Sequence, residues 1–190
     1  MSRLSSVLRS AANRRPAVIG MVHIRALPNT PLNRHSVQQL IDISCEETQL
    51  YRKYGLDGIC VENMFDVPYV TTQHSAPEVT AVMTRVCTQV KKCAHNMAVG
   101  VQVLAAHNKE ALAVALASGL QFIRCESFIY GHIADEGYID GCAGHLLRYR
   151  KQLNAEEVLV LTDIKKKHCS HAITSYVDLT EMAKSAEITI

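Results

Sequence analysis

The segment GLDGICVEN, residues 55–63, decides the fold of this chain. A second segment of the same form, GLQFIRCE, occupies residues 119–126. In both segments a helical pattern ends at a glycine, and a short apolar run follows that carries its charged residue near the carboxyl end. Buried parallel strands have this pattern because both of their faces are covered by other elements. The repeat therefore predicts a parallel sheet that is built from strand–helix units.

About five such units follow one another along the chain. The predicted strands are residues 17–23, 98–104 and 158–164, with two more that end at Asn63 and Glu126. An open doubly wound sheet of the dinucleotide-binding type is disfavoured, because no Gly-x-Gly-x-x-Gly follows the first strand, and no phosphate-binding P-loop motif occurs. A complete (β/α)8 barrel takes about 250 residues. The sequence therefore predicts an α/β, TIM-barrel-like fold of (β/α) repeats that is truncated after about five βα units.

Three predicted helices begin with the pattern of a capping box, in which paired polar side chains bond the first backbone N–H groups. These pairs are Ser36 with Gln39, Ser75 with Glu78, and Asp178 with Glu181. Two further helices are predicted at residues 109–118 and 142–153, separated by a strand and by a long loop at 127–140.

Composition excludes several classes of protein. The chain has 190 residues, of which 48% are hydrophobic, and a formal net charge of +2. This balance argues against a nucleic-acid-binding face, which needs clustered basic residues, and the run at 165–167 is expected to be a solvated edge. No stretch approaches the about 20 apolar residues that cross a bilayer, so we predict a protein that is not transmembrane. The seven cysteines include no Cys-x-x-Cys pair and are expected to be free thiols in a reducing compartment.

The first sixteen residues differ from the rest. They contain four arginines, four serines and no acid, and the first acidic residue of the chain is Asp42. Mitochondrial transit peptides have this composition. We therefore interpret residues 1–16 as a mitochondrial transit segment and residues 17–190 as the partial barrel domain. The alternative is a basic tail on a cytoplasmic protein.

Several motifs resemble the BtpA/SgcQ family in fixed order along residues 17 to about 185. They are VIGMVH (18–23), GxxVENxxDVP (58–68), VGVxVL (99–104), FIR (122–124), EGxI (136–139), LLRYR (146–150) and DIxxKH (163–168). The resemblance implies a TIM-barrel-like fold, and the family takes its name from a bacterial role in photosystem I assembly. It implies no particular reaction or cofactor. Members usually continue with further βα units, and they more often have Asn where this chain has Gln102 and Glu126.

The carboxyl ends of the predicted strands carry polar residues that would converge at the mouth of a barrel. The candidate catalytic residues are Glu62, Asp163 and His23. The candidate ligand-binding residues are Asn63, Gln102, Arg124, Glu126, Lys167 and His168. In this interpretation Arg124 and Lys167 hold an anionic group, since a guanidinium forms paired hydrogen bonds with such groups.

Within this pocket, Glu62 or Asp163 would act as general base and His23 as acid or ligand. Two other interpretations of the same residues stay open. Alternatively, Glu62 and Arg124 form a buried ion pair that only fixes the barrel mouth. As a third possibility, His23, Glu62 and Asp163 hold a divalent metal. The cofactor stays unknown at this stage.

Three functions agree with these features. The first is a barrel, enzyme or binding protein, that takes a small anionic or phosphorylated metabolite. The second is a non-enzymatic assembly or scaffold factor for a mitochondrial membrane complex. An incomplete barrel leaves two unpaired strand edges, which would favour self-association or a partner protein. The third is a truncated isoform without function.

Overall fold

Five short parallel strands form the main sheet of the computed structural model, which describes residues 7–8 and 15–189. The strands are β1 (Ile19–His23), β2 (Gly58–Glu62), β3 (Ala98–Gln102), β4 (Phe122–Cys125) and β7 (Leu159–Thr162). Their order in the sheet is β1-β2-β3-β4-β7, and all neighbouring pairs are parallel. The predicted α/β fold with a parallel sheet is confirmed. Each strand is shorter than predicted, because the residues at its ends have already turned into the connecting loops.

Five helices connect or follow these strands. They are α1 (Val37–Lys53), α2 (Pro77–Ala94), α3 (Asn108–Ser118), α4 (Ala143–Gln152) and α5 (Leu179–Thr189). Single 3-10 turns lie at Thr72–His74 and Ala172–Thr174. Successive helices α1, α2 and α3 pack against one another, so the chain winds in one direction and the strand order never reverses. This single winding is the arrangement of a TIM-like barrel wall and differs from a doubly wound sheet.

Alternate residues of each strand face the helices and enclose the main core. Examples of these fully buried side chains are Val22, Val61, Val101 and Ile123. The opposite face of the sheet corresponds to the inside of a barrel wall. It carries a smaller apolar cluster, formed by Leu8, Cys60, Ala98 and Phe122 with half-buried neighbours on β1 and β7. The strand-end polar residues continue this second face toward the carboxyl ends.

The three capping predictions had different outcomes. At α1, Ser36 and Gln39 form the complete capping box. At α5, the Asp178 side chain accepts a hydrogen bond from the Glu181 backbone N–H at 2.8 Å. The prediction for Ser75 is wrong: α2 begins at Pro77, its N-cap is Ala76, and no side chain caps it. Proline suits the first helical position, and Ser75 instead ends the preceding 3-10 turn.

The segment predicted as a long loop at 127–140 contains a small antiparallel hairpin. Its strands are β5 (His132–Ala134) and β6 (Gly137–Ile139). Three-residue strands give too few alternations for the sequence pattern to reveal them. The hairpin also pairs with the segment after β7, because Ile133 and Ser170 exchange backbone hydrogen bonds.

All seven cysteines are free thiols. None of the helices within residues 7–8 and 15–189 combines the length and the apolar character that spanning a bilayer requires. Residues 1–6 and 9–14 of the predicted transit segment lie outside the described residues. Of the others, Leu8 is buried in the inner apolar cluster, and Arg15 forms two hydrogen bonds with the Asp57 carboxylate at 2.7 and 3.0 Å.

The absence of a side chain at Gly100 lets the Phe122 ring pack over it on the inner face of the sheet, the face that carries the smaller apolar cluster. A Cβ atom on Gly100 would lie 2.1 Å from the Phe122 ring. We expect Gly100→Ala to lower the free energy of unfolding by about 1–3 kcal/mol through overpacking, measured by urea denaturation. The matched control is Gly144→Ala on the exposed face of helix α4, where the nearest atom is the flexible end of Arg148 at 3.3 Å. That change should stabilise by up to about 1 kcal/mol, since alanine favours helix more than glycine does. Equal effects of the two substitutions would contradict this account of the inner face.

Candidate functional site

Parallel pairing places the polar strand-end residues in one row. In the register of the sheet, His23 lies beside Glu62, and Glu62 lies beside Gln102. Val101 pairs with Ile123 in the register of β3 and β4. The residues that follow them, Gln102 and Arg124, therefore lie on the same face of the sheet. Because the carboxyl ends of parallel strands meet at one edge of the sheet, four consecutive strands contribute to one polar cluster. We call His23, Glu62, Gln102 and Arg124 the mouth row.

Glu62 is the buried centre of the mouth row. Its side chain is 7% exposed, whereas those of His23 and Arg124 are 39% and 48% exposed. His23 Nε2 lies 3.2 Å from Glu62 Oε2, and Arg124 Nη1 lies 4.0 Å from Oε1. Burial raises the pKa of the Glu62 carboxyl, although the charges of Arg124 and His23 partly oppose that shift. A carboxyl group of raised pKa next to an imidazole suits general acid–base chemistry.

The contact between Arg124 and Glu62 is not a closed ion pair. A distance of 4.0 Å is too long for the paired hydrogen bonds that a guanidinium forms with a carboxylate. Among the described residues Glu62 is the single ion-pair partner of Arg124. About half of the arginine side chain is exposed to solvent, so a molecule in solution can contact it.

Gln102 contributes an unusual acceptor to the mouth row. The residue is 6% exposed, and its Oε1 atom has no hydrogen-bond partner within the described part of the chain. A buried polar atom without a partner costs free energy and calls for an explanation. Its place beside Glu62 in the register is consistent with a donor that arrives from a bound molecule.

Glu126 forms a second buried carboxylate just beyond β4. It is 2% exposed, and it forms an ion pair with Lys166. Its other oxygen accepts a hydrogen bond from the Ala106 backbone N–H at 2.7 Å. Burial lowers the pKa of the Lys166 ammonium, but the hydrogen bond and the charge of Glu126 outweigh burial and raise that pKa above its ordinary value. Glu126 thus joins the loops after β3 and β7.

Asp163 follows β7 and completes the set of three acids. Its Oδ1 atom accepts a hydrogen bond from the Ser127 backbone N–H at 3.3 Å. Burial raises the pKa of the Asp163 carboxyl, and the nearby charge of Glu126 adds to this effect. Residues 7–8 and 15–189 contain no group of three or more His, Cys, Asp or Glu side chains placed to hold a metal ion. His23, Glu62 and Asp163 are therefore not brought together as a ligand set.

Asn63 and Asp66 fix the loops around the mouth row. The Asn63 Oδ1 atom accepts from the Leu104 backbone N–H at 2.8 Å, and its Nδ2 atom donates to Asp66 Oδ2 at 2.8 Å. Asp66 Oδ1 accepts from the Leu27 backbone N–H at 2.7 Å. The loops after β1, β2 and β3 are joined by these bonds. The Asn63 amide, which we predicted to bind a ligand, is thus engaged by the protein itself.

The basic loop after β7 presents a different lysine from the one predicted. Lys167 and His168 are both exposed. Lys166 is the lysine that reaches the cluster, through Glu126. Sequence reasoning missed it because three consecutive lysines look alike, and the direction of each depends on a backbone turn in which Lys165 has φ 51°.

Left-handed backbone conformations occur in the loops that follow the strands. Ala106 has φ 55° and Ser127 has φ 53°, in addition to Lys165. Such values are unfavourable for residues with a side chain and persist where the surroundings impose them, often at functional sites. Here the Ala106 N–H donates to Glu126 and the Ser127 N–H donates to Asp163, so these residues direct N–H groups at two of the acids of the site.

Known proteins match most of this chain. The sequence profile of the BtpA family matches residues 14–188. An uncharacterized mitochondrial protein of Caenorhabditis elegans is 50% identical over 188 residues, which cover 97% of this chain and 66% of the worm protein. Photosystem I biogenesis protein BtpA of Synechocystis is 34% identical over 151 residues, covering 80% of this chain and 52% of that protein. An uncharacterized protein of Pyrococcus furiosus is 31% identical over 161 residues, covering 85% and 60%. The chain thus spans about half to two thirds of the length of these relatives.

The raised pKa of Glu62 has a consequence for stability. A raised pKa means that the folded chain binds a proton at Glu62 more tightly than the unfolded chain does. This contribution favours folding at pH values below the ordinary pKa of 4.5, and it is lost as the pH rises through the folded-state pKa. We therefore expect Glu62→Gln to raise the melting temperature at pH 8 by about 2–4 °C, and the gain to disappear toward pH 4. Differential scanning calorimetry across this range measures it.

The matched control for this prediction is Glu46→Gln on the exposed face of α1, which should leave the melting temperature unchanged at every pH. A lower melting temperature for Glu62→Gln at pH 8 would contradict the prediction. That result would mean that the contact between Glu62 and Arg124 stabilises the fold as an ion pair.

Proposed function

Since this chain belongs to the BtpA family, we propose that its mouth row binds a small anionic metabolite that bears a phosphate or a carboxylate group. The observation that carries the proposal is the half-exposed Arg124 guanidinium, held 4.0 Å from a buried carboxylate instead of bonded to it. A guanidinium recognises anionic oxygens through parallel N–H donors. The unpartnered oxygen of Gln102, beside Glu62, would accept a hydrogen bond from a hydroxyl or amide of the same ligand.

The neighbouring groups supply acid–base chemistry. Glu62 would act as general base, and His23, 3.2 Å away, would pass on the proton or contact the ligand. Asp163 is a second candidate base because burial keeps its pKa high. Glu126 with Lys166 would border the ligand on the β7 side, and the exposed Lys167 and His168 would contact only a larger ligand. Asn63 would act indirectly, through the loops that it fixes.

We propose a mitochondrial location for the protein. The support is the basic, acid-free composition of residues 1–16 together with the name of the worm relative, which is called mitochondrial. In this interpretation residues 1–16 are the transit segment, and the barrel domain begins at residue 17.

A second function, an assembly factor for a membrane complex, is favoured by a separate observation. Within the described residues, β1 and β7 each pair on one side only. Their free edges could receive a strand from another protein or from a second copy. The Synechocystis relative is named for photosystem I biogenesis, which is an assembly role in that organism.

The metabolite proposal predicts the behaviour of Arg124→Ala. With inorganic phosphate and succinate as probes at millimolar concentration, we expect each anion that binds to raise the melting temperature of the unmodified chain, because a ligand that binds only the folded state stabilises it. Arg124→Ala should lose this shift, and Arg124→Lys should retain part of it. Arg148→Ala is the control, since that arginine lies on the exposed face of helix α4 and donates to the Gly144 carbonyl. An unchanged shift in Arg124→Ala would contradict the proposal.

The assembly proposal predicts an association through the sheet edges. Light scattering coupled to size-exclusion chromatography of the full chain should show a discrete dimer or a stable complex with a partner protein. Val18→Lys next to β1, at an exposed residue, should weaken that association, because a lysine on a strand edge opposes edge-to-edge pairing. This substitution keeps the backbone N–H that Val18 donates to Asp57 at 2.9 Å. A monomer in the absence of any partner, or an association that Val18→Lys leaves unchanged, would count against an edge-mediated role.

A further inference from the structure

Two cysteine thiols that are distant in sequence meet beneath the loop after β4. Cys125 is the last residue of β4, and Cys142 directly precedes α4. Their Sγ atoms are 3.5 Å apart. A disulfide needs about 2.05 Å between the sulfur atoms, so a movement of about 1.5 Å would join them. These thiols lie on the helix side of the sheet and have no part in the mouth row.

The two thiols differ in access. Cys125 is fully buried, whereas Cys142 is half-buried and lines a cavity of about 910 Å³ beside Asn108 and His145. The first thiol to meet a small oxidant would therefore be Cys142, and Cys125 would be reached only from within the protein. This division between an accessible attacking thiol and a buried resolving thiol is the arrangement of redox-active cysteine pairs.

The surroundings of Cys142 stabilise its thiolate. Its sulfur shares a hydrogen bond with the Cys125 sulfur and accepts another, at 3.2 Å, from the Asn108 Nδ2 atom. It also lies at the amino end of the ten-residue helix α4, whose dipole favours negative charge there. These hydrogen bonds lower the pKa of Cys142, and the same pairing with burial raises the pKa of Cys125.

We propose that Cys125 and Cys142 form a redox-active dithiol that a small hydroperoxide oxidises to a disulfide. The Cys142 thiolate attacks one peroxide oxygen, the O–O bond breaks, and the other oxygen leaves as hydroxide or alkoxide, which takes up a proton. Cys142 is then a sulfenic acid. The Cys125 sulfur attacks it, the S–S bond forms, and the hydroxyl leaves as water with the proton of Cys125. Two thiols lose two electrons, and the hydroperoxide is reduced to water and an alcohol or to two waters.

The disulfide would act on the neighbouring acid site. It closes residues 126–141, the segment that begins with Glu126 and carries the β5–β6 hairpin. Asn108 connects the two places, because its amide bonds the Glu126 backbone at 2.7 and 3.0 Å as well as the Cys142 sulfur. Drawing Cys142 toward Cys125 would weaken the bond from Asn108 to that sulfur, and the loop that carries Glu126 would be held by a covalent link.

Four of the other five thiols are less suited to this reaction. Burial raises the pKa of Cys60 to about 12, and burial together with Cys93 raises that of Cys45 to about 12. Burial also raises the pKa of Cys87 and Cys169. Since the thiolate is the nucleophile, oxidation should be selective for the pair at Cys142.

The test treats the reduced, folded full chain with hydrogen peroxide, then blocks the remaining thiols with N-ethylmaleimide in guanidinium chloride, where buried thiols also react, and maps the peptides by mass spectrometry. We expect a cross-linked peptide that joins Cys125 to Cys142 and the loss of two alkylation sites, both reversed by dithiothreitol. Cys142→Ser should abolish the cross-link, and Cys125→Ser should leave a sulfenic acid at Cys142 that dimedone traps. Cys45→Ser is the matched control and should not change the cross-link.

If a serine variant fails to fold, the oxidation of the unmodified chain still tests the proposal. The proposal is overturned if peroxide leaves Cys125 and Cys142 fully alkylated while the chain retains its native circular dichroism. It is equally overturned if Cys45 and Cys93 are oxidised first, because the cavity and the hydrogen bonds of Cys142 would then confer no selectivity.

Discussion

A carboxylate buried at the carboxyl end of a central strand is the feature on which the candidate site depends. Glu62 is almost wholly removed from solvent, and burial of a charged group is costly unless other groups compensate for it. The compensation comes from the neighbouring strands, with His23 on one side and Arg124 on the other. Because neither contact fully satisfies the charge, the carboxyl keeps a raised pKa. The incompletely compensated charge of Glu62 costs folding free energy, and in our proposal it is what keeps Arg124 and His23 free to contact a ligand.

The loops around this carboxylate are held by polar side chains that bond backbone groups. Asn63 and Asp66 join the loops after the first three strands. Asn108 and Glu126 do the same for the loops after β3 and β4. A buried side chain that bonds a loop backbone removes an unsatisfied group and fixes the loop at once. The mouth of the sheet is thereby held in one arrangement, which would lower the ordering cost of binding the ligand that we propose.

The sequence predicted which residues meet at the sheet edge better than it predicted their contacts. A charged residue at the end of an apolar run marks a strand end, and parallel pairing then brings such residues together, which is why His23, Glu62 and Arg124 were expected to be neighbours. Asn63 follows the same pattern but serves the loops instead. Lys166 escaped notice because nothing in a run of lysines shows which ammonium turns inward. The Cys125 and Cys142 contact was also invisible, since sixteen residues of loop and hairpin separate the two thiols.

By itself, the sequence determined the α/β class, the succession of strand–helix units and the helix starts at Ser36 and Asp178, because these depend on periodicity and on hydrogen bonds between residues three or four apart. Tertiary structure decided the remainder. It set the register that aligns His23, Glu62 and Gln102, the long contact of Arg124, the inward turn of Lys166 and the meeting of the two thiols. Each of these depends on distances between segments far apart in the chain, and such distances are fixed only when the helices pack on one face of the sheet and bring the loops together at its edge.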